Sequence, residues 1–211
     1  MPEPHPSSTH GRPKRPEVTL RKLELSDLDA IERIEKASYP APWSRSMFVS
    51  ELAKPSSLSL GAVGAKSELA GYLIVSRYVD AWHVMNVAVA PGYRRHGIAS
   101  ALLERLFDVT RDDARRGYTL EVRVSNVAAI RLYERFGFSS HGVRPGYYTD
   151  NREDALIMWR DADQRDAGEK DAGDKDAERP DAEKPDAEKP DAEKPDAGQR
   201  DDESQPEEPT E

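Results

Sequence analysis

The 211-residue chain contains no cysteine. Without a thiol it can form neither a disulfide nor an acyl-cysteine intermediate, and Cys-type zinc sites are closed to it; the absence also fits a reducing compartment. Histidine is scarce, at five, and no H-x-x-x-H or similar spacing suggests a metal. Nowhere is there a run of the roughly 18 apolar residues that a membrane span needs. The opening "MPEPHPSSTHGRPKRPE" has no apolar stretch of signal-peptide length. The expectation is a soluble, cytoplasmic protein with no membrane partner. A basic surplus is missing too: the formal net charge is −9, so composition makes no case for direct nucleic-acid binding.

That charge is unevenly spread. Residues 161–211 hold 8 Lys+Arg and 21 Asp+Glu, leaving 23 and 19 for residues 1–160, so the tail carries −13 and the rest +4. From Asp161 the chain counts in fives: DADQR, DAGEK, DAGDK, DAERP, DAEKP three times, DAGQR. A pentad lacks the period of a buried helical face, offers nothing apolar larger than Ala, and puts Pro where a helix needs a donor. Residues 161–211 therefore read as a disordered low-complexity tail and residues 1–16 as a flexible N-terminus. A tether for a basic partner is the functional alternative to a merely solvated charge run.

Between them, residues 17–160 have the patterning of a folded domain. "VTLRKL" alternates as a strand does, and Ser26 with Asp29 resembles a capping box before "DLDAIERIEKAS", where Leu28, Ile31 and Ile34 recur at helical spacing. A Pro-Trp loop, "YPAPWS", precedes a short helix that ends at Pro55. Three strand candidates come next, then a helix from Gly97 to about Arg116, a strand "YTLEVRV", a helix closed by Gly137, and a final strand pair that includes Tyr147 and Tyr148. The order β-α-α-β-β-β-α-β-α-β-β predicts an α/β fold, one domain with a mixed central sheet and helices on both faces.

Within that order, "MNVAVAPGYRRHGIASALL" is the segment with chemistry. A helix that starts straight after a strand presents N–H groups without internal partners at its electropositive end, and phosphate oxygens satisfy both demands. Gly97 admits a ligand to the backbone, Ala99 and Ser100 leave the helix end uncrowded, and Arg94 and Arg95 add charge. The bland alternative is a glycine turn with solvated arginines.

The segment resembles the acetyl-CoA pyrophosphate motif of the GNAT superfamily of N-acetyltransferases, Q/R-x-x-G-x-G/A, with Ala99 in place of the last glycine. "PWS" at Trp43, "LEVRVSNVAAIRLYERFGF" and "YYTDNREDALIM" are similar to the ribosomal-protein-alanine N-acetyltransferases, the RimI type, and the likeness runs collinearly from about Val18 to Trp159. The resemblance implies a GNAT domain over residues 17–160 with acetyl-CoA as co-substrate and no metal. Val87, Ala88 and Val89 would hold the pantetheine arm by their backbone. Arg95, His96, Gly97, Ile98, Ala99 and Ser100 would wrap the pyrophosphate, and Asn126 would contact the cofactor. Glu121 matches the general base and Tyr133 the general acid. The implied partner is the N-terminus of a protein, above all a ribosomal one. A lysine or small amine is the rival acceptor, and a non-catalytic acyl-CoA-binding module with an acidic recruiting tail is the rival of another class.

Taken without the family, the two catalytic positions are less distinctive. Leu120, Val122 and Val124 share one face of their strand and Glu121 the other, where a carboxylate is usually solvated or paired with a neighbour such as Arg123. Tyr133 shares a helical face with Asn126, Ala129 and Ile130, a stripe that most often means core packing. Trp43 suits either an acceptor pocket or a loop anchor. His83, His96 and His141 read as surface or local hydrogen-bonding residues.

Overall fold

The computed structural model describes residues 17–162. Residues 1–16 and 163–211, and with them the readings of a flexible N-terminus and a disordered repeat tail, lie outside the described residues.

Among the described residues, seven strands and four α-helices run in the expected order: β1 (Val18–Lys22), α1 (Leu28–Lys36), α2 (Arg45–Ala53), β2 (Ser57–Gly64), β3 (Leu69–Tyr78), β4 (Ala81–Val89), α3 (Ile98–Thr110), β5 (Gly117–Arg123), α4 (Val127–Arg135), β6 (Ser139–Arg144) and β7 (Ala155–Arg160). They form one sheet in the order β1-β2-β3-β4-β5-β7-β6, antiparallel except for the β4–β5 pair. Helices cover both faces. On one, Leu28, Ile31 and Ile34 of α1 and Phe48 of α2 pack on Tyr72, Ile74 and Ala88. On the other, Leu102, Leu103 and Leu106 of α3 and Tyr133 of α4 pack on Leu73, Val75, Val84 and Leu120. Burial on both sides explains why β3 is a continuous apolar run. Among the described residues no helix is long and apolar enough to cross a membrane.

Two boundaries differ from the sequence expectation. The capping box lies two residues earlier than the Ser26–Asp29 pair: Glu24 N–H donates to Asp27 Oδ2 at 2.8 Å, and Arg21 grips the same carboxylate. Helix α3 stops at Thr110, six residues before Arg116. Buried Thr110 bonds its hydroxyl to the Leu106 carbonyl at 2.7 Å and to the Tyr118 hydroxyl at 2.8 Å, and the chain then turns inward to bury Ala114.

The middle of the sheet is where the fold makes room for a ligand. Ile74 pairs with Asn86 but Val75 with Val84, so Met85 is an extra residue bulged out of β4. The bulge shifts the alternation, which is how Val84 and Val87, three apart, both reach the α3 side while Met85 and Ala88 face α1. It also bends the strand. Pairing of β4 with β5 covers Ala81–Val84 against Gly117–Leu120 and ends there, whereas β5 stays joined to β7 as far as Arg123. Beyond Leu120 the two parallel strands part, and a wedge opens between Met85–Val89 and Glu121–Arg123.

Candidate active site

One wall of the wedge is backbone. Ala88 lies in register with Tyr72, and Ala90 N–H donates to Ala70 O, so the even residues of β4 bond to β3. Val87 and Val89 turn the other way: the Tyr39 hydroxyl donates to the Val87 carbonyl, and Arg94 Nε donates to the Val89 carbonyl at 3.0 Å. By strand alternation their N–H groups face the wedge as well. A chain bearing amide groups, such as a pantetheine arm, can bond there as a replacement for the missing β5 neighbour.

The wedge leads to the start of α3. After a short 3-10 turn at Pro91–Tyr93, Arg95 (φ 66°) and Gly97 (φ 82°) both take the left-handed conformation, and among the described residues no side chain caps the helix. Left-handed residues at a helix start aim successive N–H groups into one concavity, an arrangement suited to phosphate oxygens. Gly97 adopts its φ without the strain of a Cβ. Buried Ile98 anchors the first turn, exposed Arg95 supplies charge, and Ala99 and Ser100 are half-buried. His96 presents a buried Nδ1 with no hydrogen-bond partner among the described residues, an orphan polar atom beside the helix start. Arg94 has a different task from the one its motif suggests. Besides Val89 it donates to the Ala37 carbonyl and to Ser38 Oγ at 3.0 Å, fastening the end of α1 to the end of β4.

The opposite wall is made of side chains. Glu121 is the first residue of β5 beyond the last β4 pairing, and its side chain is only 9% exposed. His83 Nε2 lies 2.6 Å from its Oε2, and Arg144 Nη1 is 3.7 Å from its Oε1. The expected local partner, Arg123, instead grips Asp150 and Glu153 and stacks 3.8 Å over the Tyr148 ring. Tyr147 and Tyr148 are not on a strand: β6 ends at Arg144, Pro145 and Gly146 turn the chain, and both tyrosines sit in the loop before β7. They meet edge to face at 5.2 Å, with the Arg144 guanidinium 5.2 Å over the Tyr147 ring. Burial raises both phenols, Tyr148 to about 12, and the nearby charge of Glu121 pushes the same way.

Tyr133 closes the wedge from α4. It is 5% exposed and meets Phe138 edge to face. Burial, then the neighbouring Tyr148, raise its phenol well above the ordinary value, so it stays protonated. Burial raises Tyr39 too, with Tyr133, Glu35 and Tyr148 adding to the effect. Asn126 is exposed, and its side-chain oxygen caps α4 by accepting from Ala129 N–H at 3.1 Å.

Sequence reasoning missed His83, Tyr39 and Arg144. Tyr39 opens the YPAPWS loop but no chemistry is legible in it there, and the signal of all three exists only once β4, β5, β6 and the α1–α2 loop are together. Trp43 proves to be an anchor: its ring packs on Phe48 at 5.4 Å and its backbone N–H donates to buried Glu35 at 2.8 Å.

Comparison with known proteins bears on this geometry. The family model described as Acetyltransferase (GNAT) family matches residues 28–138. The ribosomal protein bS18-alanine N-acetyltransferase of Escherichia coli is 39% identical over 143 residues, 66% of this chain and 95% of that protein. An N-alpha-acetyltransferase of Saccharolobus solfataricus is 35% identical over 158 residues, 68% and 93% of the two chains. Among solved structures, the E. coli ribosomal-protein-S18-alanine N-acetyltransferase superposes with a TM-score of 0.64 at 37% identity, covering 69% of this chain and 94% of that one.

Proposed function

The chain belongs to the GNAT family of acetyltransferases, which use acetyl-CoA, and from that premise we propose that it acetylates the N-terminal α-amine of a protein, the N-terminal alanine of a small-subunit ribosomal protein. Relatives named for that reaction, and one named N-alpha-acetyltransferase, support the acceptor. On this reading the enzyme works in the cytoplasm, where ribosomal proteins are made, and needs neither a nucleic acid nor a membrane as partner.

The observation that carries the mechanism is the sheltered Glu121 carboxylate at the mouth of a wedge whose other wall is backbone N–H and an uncapped helix. Acetyl-CoA fits with its pyrophosphate at Arg95–Ser100 and its pantetheine along Val87–Val89. Asn126, at the start of α4, lines the same side. Glu121, through water, takes a proton from the acceptor ammonium, and the neutral amine attacks the thioester carbonyl. Backbone donors of β4 stabilise the oxyanion; as the C–S bond breaks, Tyr133 gives its proton to the departing thiolate, and the second proton shed by the new amide nitrogen restores the phenol. The raised Tyr133 pKa keeps the phenol protonated near neutrality, so a proton is in place when the thiolate departs.

Proton chemistry also favours the α-amine. Its reference pKa is about 7.7 to 8.0 against about 10.4 for lysine, so near neutrality the attacking form is a few hundred times scarcer for lysine. A single carboxylate base suffices for a partly neutral amine and has little means of closing that gap. The test is a peptide with a free N-terminal alanine and an internal lysine, with the acetyl located by fragmentation. Acetyl on the α-amine is expected; acetyl mainly on lysine would transfer the assignment to side-chain acceptors.

A further inference from the structure

His83 stands outside every motif, yet its Nε2 comes within 2.6 Å of Glu121 Oε2. An ordinary cross-strand pair on a wet sheet face contributes little, because water competes for both partners. Here the side chains are 15% and 9% exposed, and the separation is that of a charge-assisted hydrogen bond.

The two residues are anchored differently. His83 belongs to the part of β4 held on both sides, in register with Ser76 of β3 and Thr119 of β5. Glu121 lies one step past the last β4–β5 pair, where its strand has lost that neighbour. A glutamate there has three side-chain torsions to settle, and a ring fixed in the paired sheet is a firm post to hold it. Ser76 is fully buried and carries hydrogen bonds to Glu51 at 2.8 Å and from Lys54 at 3.2 Å, which stiffens the β3 side of that post. The Tyr78 ring lies edge-on to the imidazole at 6.1 Å with Lys54 over its face. Arg144 adds positive charge from β6 but, at 3.7 Å, lies beyond hydrogen-bond length, and Tyr147 and Tyr148 complete the surroundings of the carboxylate.

We propose that His83 is a positioning residue for acetyl transfer: its Nε2–H holds the Glu121 carboxylate in the orientation that receives the acceptor amine's proton through water. The inference rests on Glu121 being the base. In the step it serves, an N–H bond of the ammonium breaks and an O–H bond on Glu121 forms, while His83 keeps its Nε2 proton throughout.

The experiment is a double-mutant cycle on the full-length chain, read as kcat and KM for an N-terminal alanine peptide, with acetyl-CoA affinity measured separately. His83→Phe keeps a ring and loses the donor. It should lower kcat about 10- to 100-fold, the scale of misplacing a catalytic group by about an ångström, with acetyl-CoA affinity within about twofold of wild type. His83→Gln, which can still donate, should recover most of the loss. In a Glu121→Gln background, His83→Phe should have no further effect. Wild-type kcat in His83→Phe overturns the proposal, as does an equal loss in both backgrounds. A fully active Glu121→Gln removes the base itself, an outcome distinct from either. If His83→Phe does not fold, His83→Ala assayed with and without added imidazole replaces it: restored turnover supports the proposal, and no response to imidazole overturns it.

Discussion

The two walls of the β4–β5 wedge are built on different plans. The wall proposed for the cofactor is nearly all backbone from one stretch, residues 87–100, where a strand, a turn with two left-handed residues and a helix without a side-chain cap among the described residues succeed one another. The wall proposed for the acceptor is nearly all side chain, drawn from five separated segments: Tyr39, His83, Glu121, Tyr133 and the Arg144–Tyr148 loop. A backbone site tolerates many side chains but few changes of conformation. A side-chain site tolerates conformational change poorly and chemical change worst of all.

The sharpest test of the contrast is Glu121→Gln, which exchanges one carboxylate oxygen of the acceptor wall for an amide. Turnover should fall by about 10²- to 10⁴-fold, the usual contribution of a general base, while calorimetric acetyl-CoA affinity stays within about twofold of wild type. An equal loss of cofactor affinity would erase the division between the walls.

Gly97→Val attacks the other wall through conformation alone. A β-branched residue at φ 82° is strained by about 1 to 3 kcal/mol, so acetyl-CoA binding should weaken roughly 10- to 100-fold in a folded variant. Unchanged affinity would remove the anion site from this helix end.

A smaller effect separates the neighbouring arginines. Arg94→Ala loses three hydrogen bonds that fasten α1 to β4 and should lower the melting midpoint by several degrees with modest change in cofactor affinity. Arg95→Ala should do the reverse, weakening acetyl-CoA binding severalfold with the midpoint nearly unmoved. Identical behaviour of the two would merge roles that the hydrogen bonds keep apart.

The smallest effect concerns the tyrosines of the acceptor wall. A phenol whose folded pKa is raised holds its proton after the unfolded chain has lost it, so its contribution is fully present below about pH 10 and falls as pH rises toward the folded value. Tyr148, at about 12, sets that window at roughly pH 10 to 12, with Tyr39, Tyr133 and Tyr147 displaced in the same direction. Denaturant midpoints at about pH 9 and about pH 11 should differ, the latter lower, and phenolate absorbance should appear together with unfolding. Ordinary titration of these phenols in the folded protein would show the wall to be open to water.

How far each wall could be foreseen depends on its plan. The helix start at Ile98 was legible because Arg94, Gly97 and Ala99 lie within six residues and the physics of a helix end is local. The order of the elements was legible from equally local patterns. The Met85 bulge was not: nothing in "WHVMNVAVA" distinguishes a regular strand from one with an extra residue, and only the register with β3 reveals it. The helix end at Thr110 was missed because a buried hydroxyl contact to Tyr118 outweighs the helical propensity of residues 111–116. Sequence pattern places Tyr147 and Tyr148 on a strand because alternation ignores the turn that Pro145 and Gly146 impose.

By itself, then, the sequence determined the α/β order, the helix start behind Gly97 and the family to which the chain belongs, since each is read from local patterns and motifs in their order along the chain. Only the tertiary structure decided that β4 and β5 part after Leu120, that Arg94 fastens helix to strand, and that Glu121 meets His83 and not Arg123. Those outcomes depend on strand register and on which side chains cross between strands, and a periodicity of two carries no information about either.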